Sequence, residues 1–282
     1  MAKYIFTFLF VITLYSCKES EESQNISIIT YNIRYDNVTD GDNAWKHRKG
    51  ILTSQLQFYS PDIFGIQEAM PHQVNYISKV LPQYSYEGIG RDGIDKGESS
   101  NVFYKKGRFI LKESNTFWLS KTPNKISKGW DAALNRICTY VLLQDKTTKK
   151  FIWVFNTHLD HIGEQAKTQG LQLILSKIKS TNINGYPVVL MGDFNSESNT
   201  ERMIELKKEM NDSRDIAEVK PLGPLGTFNG FKHNEPVTKL IDYIFISKKS
   251  NMEVKKYAVI SDSKDLKYPS DHFPVYIELE IN

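Results

Sequence analysis

From Ile26 onward, short apolar runs alternate with amphipathic stretches, and this alternation predicts β-strands interspersed with α-helices. Eleven runs rich in β-branched and aromatic residues are predicted strands, namely Ile26–Arg34, Ile63–Gln67, Tyr84–Glu87, Ser100–Tyr104, Phe109–Leu119, Arg136–Leu143, Phe151–His158, Pro187–Met191, Leu240–Ser247, Val254–Ile260 and Val275–Glu280. Apolar residues at near-helical spacing predict three helices, Ala44–Tyr59, Glu164–Ser180 and Met203–Met210.

Strands outnumber helices, and several follow one another with no helix between them. This order disfavours a single doubly wound parallel sheet and favours a sandwich of mixed sheets covered by helices. No linker or shift in composition divides the chain after Ile26, so residues 26–282 are predicted to form one domain. The glycine-rich stretches Gly88–Gly97 and Gly223–Gly230 lack phosphate-loop spacing and are interpreted as surface loops.

The N-terminal segment has a different pattern. Lys3 precedes an apolar run, Tyr4–Tyr15, which is too short to span a bilayer comfortably but suits the core of a signal peptide, so residues 1–16 are predicted to be removed. L-Y-S-C at 14–17 resembles a bacterial lipobox with Cys17 as the lipidated residue, and a plain secretory signal is the alternative. Residues 17–25 are then a polar tether. This predicts an exported lipoprotein anchored to the outer membrane, and the acidic residues after Cys17 favour display at the cell surface.

Composition narrows the class of protein. The 282 residues are 40% hydrophobic, 12% aromatic and 24% charged, as in ordinary globular proteins, which excludes collagen, a disordered acidic tail and a disulfide-stapled miniprotein. The net charge of +3 gives no strong attraction for a polyanion, so such a ligand would be held locally. With Cys17 lipidated, Cys138 has no partner for a disulfide, and we expect it to be a buried apolar residue.

Polar side chains recur where predicted strands begin or end. A single strand-end Asp or Asn usually makes a turn or a helix cap. Six such positions carrying Asp, Glu, Asn or His are harder to explain in this way, and they predict one cleft at one edge of the sandwich. They are Asn32, Gln67–Glu68, His158 with Asp160, Asp193 with Asn195, Asp242, and Asp271–His272.

The residues available also limit the chemistry. The sequence has no Gly-x-Ser-x-Gly elbow, no plausible Cys/His pair and no phosphate-cradling loop, which argues against covalent acyl chemistry and nucleoside-triphosphate transfer. Carboxylates such as Glu68 and Asp271 suit Mg²⁺ or Mn²⁺, and imidazole beside carboxylate supplies a general acid and base. A zinc site at His158 and Asp160 is the competing hypothesis, but His161 is its only further close partner, so magnesium is favoured.

Six motifs then occur in a recognisable order: T-Y-N-I-R (30–34), G-I-Q-E-A (65–69), N-T-H-L-D-H (156–161), G-D-F-N (192–195), I-D-Y-I-F (241–245) and S-D-H-F-P-V (270–275). Together they resemble the endonuclease/exonuclease/phosphatase superfamily, which includes deoxyribonuclease I, exonuclease III, sphingomyelinases and inositol polyphosphate 5-phosphatases. F-W-L-S (117–120) and G-W-D-A-A-L-N-R (129–136) resemble its secreted bacterial members. The resemblance implies an α/β fold of deoxyribonuclease I type, a four-layer α/β/β/α sandwich of two mixed sheets flanked by helices, that hydrolyses phosphoesters with a divalent metal.

The same resemblance implies roles at the metal and phosphate. Glu68 matches the metal-binding glutamate and Asp271 an aspartate at the metal site. Asn32 matches an asparagine near metal and phosphate, and Arg136 an arginine that contacts phosphate. The cofactor is therefore expected to be Mg²⁺ or Mn²⁺.

Further roles concern proton transfer. Asp193 and Asn195 match the pair that orients the attacking water, and Asp242 with His272 matches a carboxylate–imidazole dyad. His158 matches a second histidine, and Glu98 is the candidate for its carboxylate partner.

The substrate class stays open within the superfamily. A nuclease-like phosphodiesterase is slightly favoured, and a basic rim for nucleic acid could come from Lys105–Arg108, Lys121–Lys128, and Lys248–Lys249 with Lys255–Lys256. A sphingomyelinase-like phospholipid phosphodiesterase and a sugar- or inositol-phosphate phosphatase are the alternatives, and a binding protein on a retained frame is the non-enzymatic one. We expect a monomer that contacts the membrane through its N-terminal lipid anchor.

Overall fold

The structure, a computed structural model, describes residues 1, 3 and 25–282. The predicted signal peptide, Cys17 and nearly all of the predicted tether lie outside these residues and stay predictions. Among the helices of the described residues, none is both long and apolar enough to cross a membrane.

Two mixed six-stranded sheets form the centre of the protein. The first contains, in spatial order, β11 (Met252–Val259), β12 (Val275–Ile281), β1 (Ile26–Asn32), β2 (Ile63–Gln67), β4 (Val102–Lys105) and β3 (Tyr84–Glu87). The second contains β5 (Phe109–Trp118), β6 (Ile137–Asp145), β7 (Phe151–His158), β8 (Val188–Asp193), β10 (Asp242–Ser247) and β9 (Met210–Asp212). Strands β1 and β2 pair in parallel, as do β7 and β8, and the other neighbours are antiparallel.

Helices cover the outer face of each sheet. Beside the first sheet lie a 3₁₀ helix (Val38–Asn43), α1 (Trp45–Tyr59) and α2 (Pro71–Val80). Beside the second lie α3 (Glu164–Thr181) and α4 (Glu201–Glu209), and the short α5 (Ser213–Ile216) follows β9. The predicted four-layer α/β/β/α sandwich is therefore confirmed.

Three clusters of buried apolar side chains correspond to the three interfaces between the four layers. Because successive side chains of a strand point to opposite faces, Ile28 packs between the sheets while Ile29 packs beneath α1 and α2. Val189 and Leu190 divide in the same way between the central cluster and the cluster beneath α3 and α4. Central strands buried on both faces explain the continuous apolar runs in the sequence. Cys138 is fully buried in one of these clusters, as expected, and burial raises the pKa of its thiol.

The predicted strands and helices end within two residues of the observed ones, but several elements are missing from the prediction. Helix α2 begins with Pro71 and buries only two apolar side chains, Val74 and Ile77, so its periodicity is weak. Strand β9 has three residues, and its first residue, Met210, was predicted to end the preceding helix. The 3₁₀ helix and α5 also lack an apolar pattern.

Strand register brings the polar strand ends to one edge of the sandwich. In the first sheet, Asn32 is aligned with Gln67 in the parallel strand, and the antiparallel β12 begins beside the end of β1. In the second sheet, Asp193 is aligned with both His158 and Asp242. Loops that leave or enter these strands therefore meet above the same edge.

Buried hydrogen bonds link the two sheets just below this edge. The Asn156 side-chain amide donates to the backbone oxygens of Ile66 (3.0 Å) and Asn101 (2.9 Å). Gln67 in turn donates to Asn156 Oδ1 at 2.7 Å. Gly65 makes room for this amide, since a Cβ atom there would lie 2.7 Å from Asn156 Cγ. These directional contacts fix the alignment of one sheet over the other.

Candidate active site

A carboxylate–imidazole pair lies at the meeting point of the two sheets. Asp242 begins β10, His272 lies just before β12, and His272 Nδ1 is 2.8 Å from Asp242 Oδ2 with both residues buried. Burial disfavours the imidazolium, but the charges of Asp242 and Asp193 more than offset this and raise the pKa of His272 to about 10. The predicted Asp242–His272 pair is present, with the imidazole held as a cation.

Asp193 lies at the centre of the site. Its carboxylate accepts the backbone N–H of Asn195 (2.8 Å) and the side-chain amide of Asn32 (3.0 Å), and it lies 3.9 Å from His272 Nε2. Burial raises its pKa to about 7, with the nearby charge of Asp242 adding to the effect. A carboxyl with such a pKa is suited to accept a proton near neutral pH.

The predicted metal ligands, Glu68 and Asp271, lie at the ends of strands of the first sheet, next to Asp193 of the second sheet. The Asn32 amide donates to Glu68 Oε1 (3.0 Å) as well as to Asp193, so it joins the two carboxylates. Glu68 Oε2 accepts the backbone N–H of Tyr35 at 3.1 Å. Burial raises the pKa of Asp271, and the charge of Glu68 adds to the effect while His272 opposes it. Glu68 and Asp271 are therefore close enough to repel each other.

These groups fit a hard divalent cation. Asp193, Asp242 and His272 offer ligand atoms within 4.8 Å of one another. Asp242 Oδ1 is buried and has no hydrogen-bond partner among the described residues. Glu68 and Asp271 are the residues best suited to hold the ion, because Asp242 and His272 already bind each other. Carboxylate oxygens whose ionisation is disfavoured by crowding are stabilised by Mg²⁺ or Mn²⁺.

The backbone is strained at two of these strand ends. Glu68 (φ 62°) and Asn195 (φ 44°) adopt left-handed conformations that non-glycine residues rarely occupy, and such strain often accompanies function. Gly192, one residue before Asp193, has φ 146°, and a Cβ there would lie 2.0 Å from the Thr157 carbonyl oxygen. Only glycine allows β8 to approach β7 closely enough at this position.

Asp160 supports the loop that carries Arg136. Its buried carboxylate accepts backbone N–H groups from Gly163 (2.8 Å), Ile162 (3.0 Å) and Ala133 (3.2 Å), and lies 3.3 Å from Arg136 Nε. Burial alone would raise the pKa of Asp160, but these donors hold it well below its usual range. The carboxylate is fully engaged, which overturns the hypothesis of a zinc site at His158 and Asp160.

The predicted pair between His158 and Glu98 is not formed. His158 Nε2 lies 3.0 Å from the Asn195 amide nitrogen and 3.5 Å from Asp193 Oδ2, while its Nδ1 is buried without a partner in the described part of the chain. Glu98 instead makes a 2.8 Å ion pair with Arg91. Burial and the charge of Arg136 lower the pKa of His158 well below its usual value, so a guanidinium is the stronger partner for Glu98.

Sequence reasoning missed two arginines near the site. Arg91 lies in a glycine-rich stretch that was interpreted only as a surface loop. Arg48 is a buried residue of α1, and its guanidinium donates to the backbone oxygens of Arg34 (2.6 Å), Asn43 (2.9 Å) and Pro269 (3.2 Å). An arginine within the apolar positions of a predicted helix was the available signal for Arg48.

Comparison with known proteins agrees with this geometry. A profile described as the Endonuclease/Exonuclease/phosphatase family matches residues 29–272. The chain belongs to the endonuclease/exonuclease/phosphatase family. Members of this family are phosphoester hydrolases that use divalent metals.

Solved structures of family members resemble the whole fold. A family protein from Bacteroides thetaiotaomicron is 36% identical, covers 92% of this chain and 98% of its own, and superposes with a TM-score of 0.86. A mannosyl-6-phosphatase from Bacteroides thetaiotaomicron VPI-5482 is also 36% identical, with 90% and 99% covered and a TM-score of 0.84. The predicted deoxyribonuclease I-like fold is confirmed.

Curated relatives are more distant and longer. The chain is 25% identical to a probable RNA exonuclease of Saccharomyces cerevisiae, a match that spans 63% of this chain and 39% of that protein. It is also 25% identical to tyrosyl-DNA phosphodiesterase 2 of Danio rerio, over 64% of this chain and 44% of the relative. The chain thus matches less than half the length of these two relatives, and they leave the specific activity open.

Replacing Asp160 by Asn should destabilise the protein. The amide keeps the shape but loses the charge that satisfies Arg136 and the N–H donors, so we expect the free energy of unfolding at pH 7 to fall by about 2 kcal/mol or more. Because the pKa of Asp160 is lower in the folded state than its unfolded value of about 3.9, its stabilisation is present above that pH and is lost as the pH falls. Denaturant unfolding at pH 7 and at successively lower pH should therefore show a difference that shrinks under acid conditions.

The exposed Asp265 gives a matched control for this measurement. Asp265→Asn should leave the free energy of unfolding within about 0.5 kcal/mol of the wild type. Equal stability of the Asp160→Asn variant and the wild type at pH 7 would contradict the role assigned to Asp160.

Proposed function

We propose that the protein is a divalent-metal-dependent phosphomonoesterase that acts on a small, hydroxyl-rich phosphate ester such as a sugar phosphate. The observation that carries this proposal is a small cavity beside the predicted metal ligand Glu68. Its lining combines charged and polar side chains with one apolar residue and contains no Phe, Tyr or Trp side chain: Glu68, Arg91, Glu98, Ser99, Ser100, Asn135, Arg136, Ile137 and His158.

The lining of this cavity favours hydroxyl groups over nucleobases. Proteins that hold single-stranded nucleic acid stack the bases on aromatic side chains along a basic groove. Part of the expected basic rim is also far from the site. Lys105 and Arg108 form ion pairs with Asp62 at the edge where β1 and β2 begin, opposite the active-site edge, and Arg108 also pairs with Asp145.

Relatives support the same choice. The mannosyl-6-phosphatase shares 36% identity over nearly its full length, whereas the curated nuclease and phosphodiesterase relatives share about 25% over part of theirs. A phosphodiesterase stays the second candidate, because those relatives carry such activities in their names. The expected nuclease-like preference is thus replaced by a preference for a phosphomonoester.

The polar groups around Asp193 have defined roles in this proposal. Glu68 and Asp271 would hold Mg²⁺ or Mn²⁺, which when bound offsets negative charge on the phosphoryl oxygens. Asp193 accepts the proton of the attacking water, and the Asn195 backbone N–H and Asn32 hold its carboxylate in position.

Cationic and neutral imidazoles act on opposite sides of Asp193. The His272 cation, held by Asp242, donates to a phosphate oxygen and stabilises charge that develops in the transition state. Arg136, which lines the cavity, adds positive charge. His158, neutral because its pKa is lowered, accepts from the Asn195 side-chain amide and holds it beside Asp193, and the leaving oxygen takes its proton from solvent.

Purified protein tests the substrate class directly. We expect Mg²⁺ or Mn²⁺ to support release of inorganic phosphate from hexose 6-phosphates and p-nitrophenyl phosphate, and excess EDTA to abolish it. Plasmid DNA, RNA, bis-p-nitrophenyl phosphate and sphingomyelin are the competing substrates. Turnover of diesters alone would overturn the proposal, and turnover in EDTA would contradict the metal requirement.

His272→Ala and Asp193→Ala should each reduce kcat on the order of 10³-fold, since each removes a group that acts in the transition state. The exposed His47 provides a control, and His47→Ala should retain wild-type turnover. Circular dichroism and thermal unfolding should show that all three variants are folded. Wild-type activity in both active-site variants would contradict the proposed centre.

We also propose that the protein is an exported monomeric lipoprotein anchored through Cys17, on the basis of its N-terminal sequence. Cys17→Ser should prevent lipidation, so membrane fractionation after expression in a bacterial host should move the protein from the membrane to the soluble fraction. Cys138→Ser is the matched control, because Cys138 is buried in the fold. Retention of the Cys17→Ser protein in the membrane fraction would contradict lipid anchoring.

A further inference from the structure

An ion pair between Arg91 and Glu98 lies in the wall of the cavity. Arg91 Nη2 and Glu98 Oε1 are 2.8 Å apart, and the two side chains are only 13% and 14% exposed. Neither contacts the Asp193, Asp242 and His272 group through a hydrogen bond or ion pair, so the mechanism above leaves this pair without a role. Both side chains are largely buried, and both line the cavity that also contains Glu68 and His158.

We infer that Arg91 and Glu98 form a subsite that binds adjacent hydroxyl groups of the phosphorylated substrate. The inference rests on the proposed function, because it specifies the part of the molecule attached to the phosphate. Glu68, Arg136 and His158 line the same cavity, so a phosphate ester bound there brings its alcohol portion within reach of Arg91 and Glu98.

The chemistry of the pair matches a diol. Arg91 uses one guanidinium nitrogen on Glu98, and its planar fork carries further N–H donors. The Glu98 carboxylate has a second oxygen, Oε2, that can accept from a hydroxyl. Each hydroxyl both donates and accepts, so two neighbouring hydroxyls can bind the carboxylate and the guanidinium together.

The loop that presents this pair is held in place before a ligand arrives. Arg91 N–H donates to the Glu98 backbone oxygen at 2.8 Å, and the Arg91 backbone oxygen accepts Trp118 Nε1 at 2.7 Å. Asn135 donates to Asp92 Oδ1 at 2.8 Å, which ties the loop to the segment that carries Arg136. A subsite with fixed positions loses less entropy when a ligand binds.

Comparison of two substrates tests the inference. Hexose 6-phosphates and p-nitrophenyl phosphate share the phosphate, but only the sugar has adjacent hydroxyls. For Arg91→Gln and Glu98→Gln, we expect the loss of kcat/KM on the hexose phosphate, mainly through KM, to exceed the loss on p-nitrophenyl phosphate by about tenfold or more. Arg91→Lys retains the charge but not the fork, so it should show the same selective loss.

Lys96→Gln is the control for charge, because Lys96 is an exposed residue of the same loop, and it should behave as the wild type on both substrates. Equal losses on the two substrates would overturn the inference and assign the pair a structural or phosphate-binding role. Unchanged kcat/KM in the Arg91 and Glu98 variants would overturn it as well. The wild-type enzyme's activity on hexose phosphates tests the proposed function, whereas the ratio between variant and wild type tests the subsite.

Discussion

The geometry of the active-site edge depends on the burial of several carboxylates around Asp193. Desolvation and mutual repulsion make ionised carboxylates costly in such a place, and the raised pKa of Asp193 reflects that cost. Compensation comes from three kinds of neighbour: the imidazolium of His272, the side-chain amide of Asn32 and the backbone N–H of Asn195. The carboxylates of Glu68 and Asp271 are the groups that the proposed divalent cation would neutralise. Protein stability and metal binding are therefore linked through the same group of side chains.

Two buried charged residues, Arg48 and Asp160, take no part in the proposed reaction. They hold in place the loops that carry the active-site residues. Arg48 donates to carbonyl oxygens on both sides of the first sheet's active-site edge, before Asp271 and after Asn32. Asp160 does the converse in the second sheet, where it accepts backbone N–H groups of the loops that flank Arg136. Each residue satisfies backbone groups that no regular secondary structure could satisfy. This support explains how strained backbone conformations can persist at the ends of β2 and β8.

The sequence predicts the fold well where apolar periodicity is strong and poorly where it is not. Strands such as β7 and β8 are apolar on both faces and have clear ends, whereas α2 buries only Val74 and Ile77 and β9 has three residues. The convergence of the strand-end polar residues follows from strand direction, so it too is predictable. The partner of Glu98 is not, because it depends on the path of a glycine-rich loop. The roles of Arg48 and Asp160 are hidden for a similar reason, since Arg48 binds the backbone at Pro269 and Asp160 binds the backbone at Ala133, both distant in sequence.

The amides of Asn156 and Gln67 connect the sheets directly beneath the reacting groups. Apolar packing between two sheets resists separation but tolerates small sliding motions, whereas a hydrogen bond is sensitive to direction and length. A few polar contacts thus align the active-site residues of one sheet with those of the other. The aliphatic interior holds the two sheets together. Such a division lets the interior accumulate volume-conserving substitutions over evolutionary time without disturbing catalytic alignment. It offers a physical route by which one architecture can diversify its substrates while its reaction centre stays in place.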